Sequence, residues 1–214
     1  VDASATNGIA GEWLLDPRNV TIVAGTTGSP APSIFVPTVD DATIFASDII
    51  LALQGGTNVT ITTGTTGTQE GNITVSADIN LTLPTDVTFT LDAANNITVN
   101  NIIQNQEPDS RLNVSLLAGN LIDVNANIIT NGGNITLTSA NGSIDTTGGI
   151  LNSSTTISLI NTGGAITLTA NNGSISTGDI TTFSSLSDTG TVVATGGNVT
   201  LTSGSSIITG NINA

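Results

Sequence analysis

Short stretches of alternating apolar and polar residues recur along the chain. Asn58-Val-Thr-Ile, Asn72-Ile-Thr-Val, Asn80-Leu-Thr-Leu, Asn96-Ile-Thr-Val, Asn113-Val-Ser-Leu, Asn134-Ile-Thr-Leu and Asn198-Val-Thr-Leu each carry aliphatic residues two positions apart, with Thr or Ser between them; Thr156-Ile-Ser-Leu and Ala165-Ile-Thr-Leu are variants. Side chains alternate across a strand, so the aliphatics share one face and the hydroxyls take the other. This is the pattern of a half-buried strand, and β-branched residues suit it. No window of helical length keeps an i, i+3, i+4, i+7 spacing without a break at Gly or Asn-Gly, so nearly all predicted structure is strand. The richest apolar stretch, 44–53, is too short for a membrane span and carries Asp48. Residues 29–33 (Ser-Pro-Ala-Pro-Ser) and 105–110 read as loops. Residues 177–190, with Phe183 and Asp188, read as an irregular insertion.

The strand units are themselves repeated. Gly132-Gly-Asn-Ile-Thr-Leu-Thr-Ser-Ala-Asn-Gly-Ser-Ile returns as Gly163-Gly-Ala-Ile-Thr-Leu-Thr-Ala-Asn-Asn-Gly-Ser-Ile, and then as Gly196-Gly-Asn-Val-Thr-Leu-Thr-Ser-Gly-Ser-Ser-Ile. Two stacking registers fit. One sets Ile135, Ile166 and Val199 in a column; the other stacks Ile135, Ile157 and Val192, with Ile144, Ile166 and Val199 beside them. Near-identical units favour a solenoid over a sandwich, whose core does not require repetition. Asn before the strands supports the same choice, since it tolerates left-handed bends and its amides can ladder between stacked coils. The strand spacing predicts roughly 20 residues per coil and about ten coils, ~50 Å long at ~4.8 Å per coil. Residues 1–35 form an N-terminal entry segment with a WLLDP motif and the Pro-rich loop. Residues 36–214 carry the β-helix repeats, and the two are read as one continuous solenoid.

Composition narrows the chemistry. His, Cys, Met, Tyr and Lys are absent, and the two basic residues are Arg18 and Arg111 against 16 acidic ones. Without His or Cys there is no usual serine or cysteine triad and no imidazole or thiolate metal site. Without Lys there is no Schiff base or P-loop lysine. The net charge of −14 opposes binding to nucleic acid and anionic membranes. Only 8% of residues are charged and mean hydropathy is +0.27, which argues against a disordered chain. The first residues show no signal peptide and no initiator Met, so the chain reads as a mature or excised piece of something longer.

Residues 13–22, Trp-Leu-Leu-Asp-Pro-Arg-Asn-Val-Thr-Ile, are followed by a loop and then by the 55–79 stretch GGTNVTITTGTTGTQEGNITVSADI. Together they resemble the repeat module of filamentous-haemagglutinin-like large exoproteins, the secreted partners of bacterial two-partner secretion systems. Later Leu-Thr-Leu, Asn-Asn-Ile-Thr-Val and Asn-Ala-Asn-Ile-Ile elements extend the resemblance over about residues 11–154. It implies an all-β chain folded as a right-handed parallel β-helix (β-solenoid), exported unfolded through an outer-membrane transporter to the extracellular space or bacterial cell surface. The family's secretion-recognition domain lies at the extreme N-terminus of the full proteins. No such motif occurs here, so that role is not carried over. A single WLLDP makes this at most one module.

The expected function is a non-enzymatic structural or adhesive segment forming a rigid stalk or fibre. A self-assembling filament subunit, or a glycan-binding or ice-binding solenoid, are the alternatives. Expected partners are neighbouring repeats, the chain itself end to end through open strand edges, and a glycan or cell-surface receptor. No catalytic or cofactor-binding residue is expected: Asp40 and Asp41 would face opposite ways on a strand, and Asp78, Asp92, Asp123, Asp145 and Asp179 lie far apart in sequence. No metal site is assigned, though acidic turns leave structural calcium as an open alternative. Trp13 reads as a core plug, with a sugar-stacking platform as the other reading. Eleven Asn-x-Ser/Thr sequons, among them Asn19, Asn58, Asn134 and Asn198, read as by-products of Asn preceding a strand. The one candidate surface is a Thr array: Thr60 and Thr62, Thr136 and Thr138, Thr167 and Thr169, Thr200 and Thr202. Its units are expected to be separated by other strands, which would break the lattice that ice binding needs.

Overall fold

Apart from Val20–Val23 and Ala42–Phe45, which are consecutive and paired, each strand pairs with the strand one coil away, not with its neighbour in sequence. The structure, a computed structural model, describes residues 12–15, 19–25, 27, 40–63, 69–107, 109–155, 162–184 and 195–214. Among them every strand pair is parallel. The strands form three sheets. The first runs through Glu12–Leu15, Asn58–Thr62, Val87–Ala93, Leu112–Ala118, Ile135–Ser139, Ile166–Ala170 and Val199–Ser203. The second holds Ala42–Phe45 at its edge, then Val20–Val23, Ile73–Val75, Ile97–Val99, Ile122–Val124, Ile144–Thr146, Ile175–Thr177 and Ile207–Thr209. The third holds Ile79–Leu81, Ile103–Asn105, Ile128–Ile129, Leu151–Asn152, Ile180–Thr181 and Ile212–Asn213. The chain is a parallel β-helix whose coils visit the three sheets in turn.

Register settles which residues stack. Ile135 pairs with Ile166 and Ile166 with Val199, while Ile144 pairs with Ile175 and Ile175 with Ile207. The alternative that set Ile144 beside Ile166 is therefore excluded; Ile157 and Val192 lie outside the described residues. Coil length varies. Val114, Ile135, Ile166 and Val199 hold the same place in successive coils, and the circuits that end at Ile166 and Val199 use more chain than the one that ends at Ile135. The uniform coil expected from strand spacing matches the circuit from Val114 to Ile135 and is too short for those ending at Ile166 and Val199, whose links between the same three sheets are longer. Seven first-sheet strands span about 29 Å, not ~50 Å, at ~4.8 Å per step. Likewise, 177–190 is not wholly irregular: Ile180–Thr181 joins the third sheet, and 185–194 lies outside the described residues.

The core is a set of aliphatic columns. On the first sheet, Ile61, Leu91, Leu116, Leu137 and Leu168 are all buried and in register, beside the column Val59, Phe89, Val114, Ile135 and Ile166. The second sheet adds Ile73, Ile97, Ile122, Ile144 and Ile175, and the third Ile79, Ile103, Ile128, Leu151 and Ile180. Full burial of such a side chain is worth ~1.5–3 kcal/mol, and each coil supplies several. One interior column changes character along the rod: Val75, Val99 and Val124 give way to Thr146 and Thr177, both buried with no hydrogen-bond partner at Oγ1.

Corner residues hold the register. Asn58 Oδ1 accepts the Thr88 N–H at 2.8 Å, Asn113 that of Asn134 at 3.0 Å, and Asn134 that of Ala165 at 2.9 Å. At the next corner Asn19 accepts from Asn72 at 2.9 Å, Asn72 from Asn96 at 3.2 Å and Asn96 from Leu121 at 2.9 Å. Each amide thus satisfies a backbone donor just before, or in the first residues of, the strand of the next coil. The repeated Gly-Gly has a steric cause at its second residue. A Cβ on Gly164 would lie 2.0 Å from the Gly133 carbonyl oxygen, and one on Gly197 would lie 2.0 Å from that of Gly164. Buried hydroxyls complete these turns: Thr130, Ser153 and Thr182 donate to the carbonyls of Gly133, Gly164 and Gly197 at 2.6, 2.6 and 2.8 Å.

Among the described residues one helix departs from the expectation of nearly all strand. Ala42–Phe45 leads directly into Ala46–Gln54, which buries Ala46, Ile49 and Leu53 and packs against Ile79–Leu81, the outermost strand of the third sheet. The buried residues lie at i, i+3 and i+7, a helical spacing embedded in the apolar stretch. Gly55 and Gly56 end it, their N–H groups bonding the carbonyls of Leu51 and Leu53.

Two substitutions test this core. Thr146→Val extends the valine column and removes an unsatisfied buried hydroxyl, so the free energy of unfolding should rise by about 1 kcal/mol in urea titration. Ala165→Asn restores the missing rung between Asn134 and Asn198 and should raise it by about 0.5–1.5 kcal/mol in the same measurement.

Candidate functional site

With the aliphatics turned inward, candidate chemistry is confined to the outer faces of the three sheets and to the corners. On the first sheet the outward residues form two rows. One runs Thr60, Thr90, Ser115, Thr136, Thr167, Thr200; the other runs Thr62, Asp92, Leu117, Thr138, Thr169, Thr202. The repeat offsets equal whole coils, so the strands bearing Thr136/Thr138, Thr167/Thr169 and Thr200/Thr202 are immediate neighbours. The expectation that other strands separate them is wrong for these six residues, because the intervening strands belong to the other two sheets. Neighbours stand ~4.8 Å apart across the strands and ~6.7 Å along them, a rectangular lattice of methyl and hydroxyl groups. Thr60 and Thr62 lie on the same face but outside this block, since Asp92 and Leu117 interrupt the second row.

The second sheet carries a feature that linear spacing hides. Asp123 and Asp145 are register partners in adjacent strands, remote in sequence but neighbours on the face. Both carboxylates are engaged locally: Asp123 Oδ2 accepts from Asn125 Nδ2 at 3.0 Å, and Asp145 Oδ1 accepts the N–H and hydroxyl of Thr147 at 2.9 and 2.7 Å. Other acids are built into corners. Asp78 accepts from Asn101 Nδ2 at 2.9 Å, Asp86 from the Arg111 N–H at 2.8 Å, and Asp179 from the Asn211 N–H at 2.9 Å. Asp41 turns the chain with a φ of 57° and accepts from Gln69 Nε2 at 2.8 Å and from Asn19 Nδ2 at 3.1 Å, in a bend before Ala42–Phe45. These contacts are those of stacked turns, in which carboxylate and amide oxygens do the same work.

Among the described residues no three His, Cys, Asp or Glu side chains gather as metal ligands, and no helix is long and apolar enough to cross a membrane. The sequon asparagines Asn19, Asn58, Asn72, Asn96, Asn113 and Asn134 each accept a backbone N–H from the next coil, which gives their recurrence a structural cause. The side chain of Trp13 and the residues Arg18 and Asp188 lie outside the described residues. The chain matches no protein-family model, and no curated protein matches it. What remains among the described residues is a stack of coils with a regular hydroxyl-bearing face, and with Asp41, Asp78, Asp86 and Asp179 engaged at its corners.

Proposed function

We propose that this chain is a non-enzymatic, rigid section of a secreted bacterial surface exoprotein, a stalk or fibre segment that carries adhesive parts away from the cell. The observation supporting this most directly is the in-register stacking of coils of unequal length on shared aliphatic columns. Such stacking resists bending, because every backbone rung and every interior column must shift together. The resemblance to filamentous-haemagglutinin-like modules supports an extracellular address and passage through an outer-membrane transporter. The absence of cysteine is compatible with that route, since no disulfide can lock the chain before it crosses. Asp41, Asp78, Asp86 and Asp179 serve as turn acceptors, which supports a structural role over hydrolysis.

A modular rod tolerates loss of a whole coil. Deleting residues 135–165 joins Asn134 to Ile166, the same junction that Asn134 makes with Ile135. The shortened chain should keep its β-sheet circular dichroism and lose ~4.8 Å of length by small-angle scattering. Saturable binding of the intact chain on a glycan array, or turnover of an acidic polysaccharide, would replace the rod with a glycan-binding or enzymatic reading.

A second reading, an ice-binding face, is favoured by one observation: Thr136, Thr138, Thr167, Thr169, Thr200 and Thr202 occupy three consecutive strands in register. Flat lattices of this kind order water through methyl packing and hydroxyl hydrogen bonds together. Thermal hysteresis that rises with protein concentration and disappears in Thr167→Lys would support it; an unshifted freezing point at the highest soluble concentration removes it.

A further inference from the structure

Asn-Gly pairs stand at 131–132, 141–142 and 172–173 among the described residues; a further one, at 7–8, lies outside them. Asn before Gly is chemically labile, because glycine has no side chain to hinder attack by its own amide nitrogen on the Asn side chain. The surroundings of the three pairs differ.

Asn141 and Asn172 occupy the same corner of successive coils, each three residues before one of the register partners Ile144 and Ile175, and both are exposed. The difference lies in the residue beneath. Ser139 is buried, and its Oγ accepts the Gly142 N–H at 3.0 Å. Its register partner in the next coil is Ala170, which has no hydroxyl. The Gly173 N–H accordingly has no hydrogen-bond partner among the described residues. One coil further the hydroxyl returns: Ser203 pairs with Ala170, and its Oγ accepts the Ser205 N–H at 3.1 Å. Ala170 is thus a gap in a column of capping serines. At the remaining pair Gly132 is buried, which keeps solvent base from its N–H, and Asn131 Nδ2 is held by the Glu107 carbonyl at 2.8 Å.

We propose that Asn172 is a site of spontaneous covalent modification, deamidation through a cyclic imide, from which Asn141 and Asn131 are protected. Solvent base removes the Gly173 amide proton. The nitrogen attacks Asn172 Cγ; the N–Cγ bond forms, the Cγ–Nδ2 bond breaks, and Nδ2 takes up a proton and leaves as ammonia. Water then opens the five-membered ring. Opening at Cγ gives aspartate with the main chain unchanged, and opening at the main-chain carbonyl gives isoaspartate, with one more carbon in the backbone. Either product adds a negative charge. The longer backbone falls where successive turns touch, since a Cβ on Gly173 would lie 2.1 Å from the Gly142 carbonyl oxygen. At Gly142 the Ser139 hydroxyl engages the very hydrogen that base must remove, so the first step is blocked there.

Incubating the folded chain at mildly alkaline pH, then mapping peptides by tandem mass spectrometry, tests this. Conversion of amide to acid should run about tenfold faster at Asn172 than at Asn141, the rate equivalent of one hydrogen bond. In concentrated urea the two rates should converge. Ala170→Ser supplies the missing acceptor at a position whose register partners are both serine, and should slow Asn172 by the same factor. Ser139→Ala should free Asn141 to react. Equal rates at Asn141 and Asn172 in the folded chain, faster conversion at Asn141 or Asn131, or an Ala170→Ser chain with unchanged circular dichroism and an undiminished rate at Asn172 overturns the proposal.

Discussion

Register between coils is the constraint on which everything else rests. In a parallel β-helix no strand closes its hydrogen bonds within its own coil, so each coil is stable only as far as the next repeats its in-and-out pattern. A shift by a single position would turn Leu137, Leu168 and their column out to solvent and bring Thr136 and Thr167 in. The corner asparagines and the second glycine of each Gly-Gly pair both act on this quantity. The amide ties the residue before one strand to its counterpart in the next, and the glycine lets adjacent turns approach closely enough for that tie to form. Composition follows from the same constraint: β-branched aliphatics fill flat interior columns without the large rings of a globular core.

The fold is legible in the sequence because the constraint repeats. Alternation marks the strands, the three Gly-Gly copies mark the stacking, and Asn before the strands marks the corners. Three things are hidden for physical reasons. The third sheet contributes strands as short as Ile128–Ile129 and Leu151–Asn152, too brief for an alternating pattern to stand out. The helix is hidden because its buried residues, Ala46, Ile49 and Leu53, sit among other apolar ones. The neighbours on each outer face are hidden because face adjacency depends on coil length, and coil length varies.

That last point governs the candidate surface. The six threonines from Thr136 to Thr202 stand out in the sequence as a set but look separated, whereas the whole stretch of chain from Thr136 to Thr167 amounts to one step across the sheet. Asp123 and Asp145 look separated for the same reason. In a solenoid, distance along the chain and distance across the surface are related only modulo the coil, so residues a full turn apart are the ones to compare.

The unequal coil lengths carry a consequence of their own. The circuit from Val114 to Ile135 is short and the one from Ile166 to Val199 is much longer, yet both advance the axis by one strand spacing. The surplus leaves the axial rise untouched. Foreign peptides inserted between strands would therefore be carried at fixed heights on an unaltered spine, making the molecule a ruler whose markings can be rewritten without changing its scale.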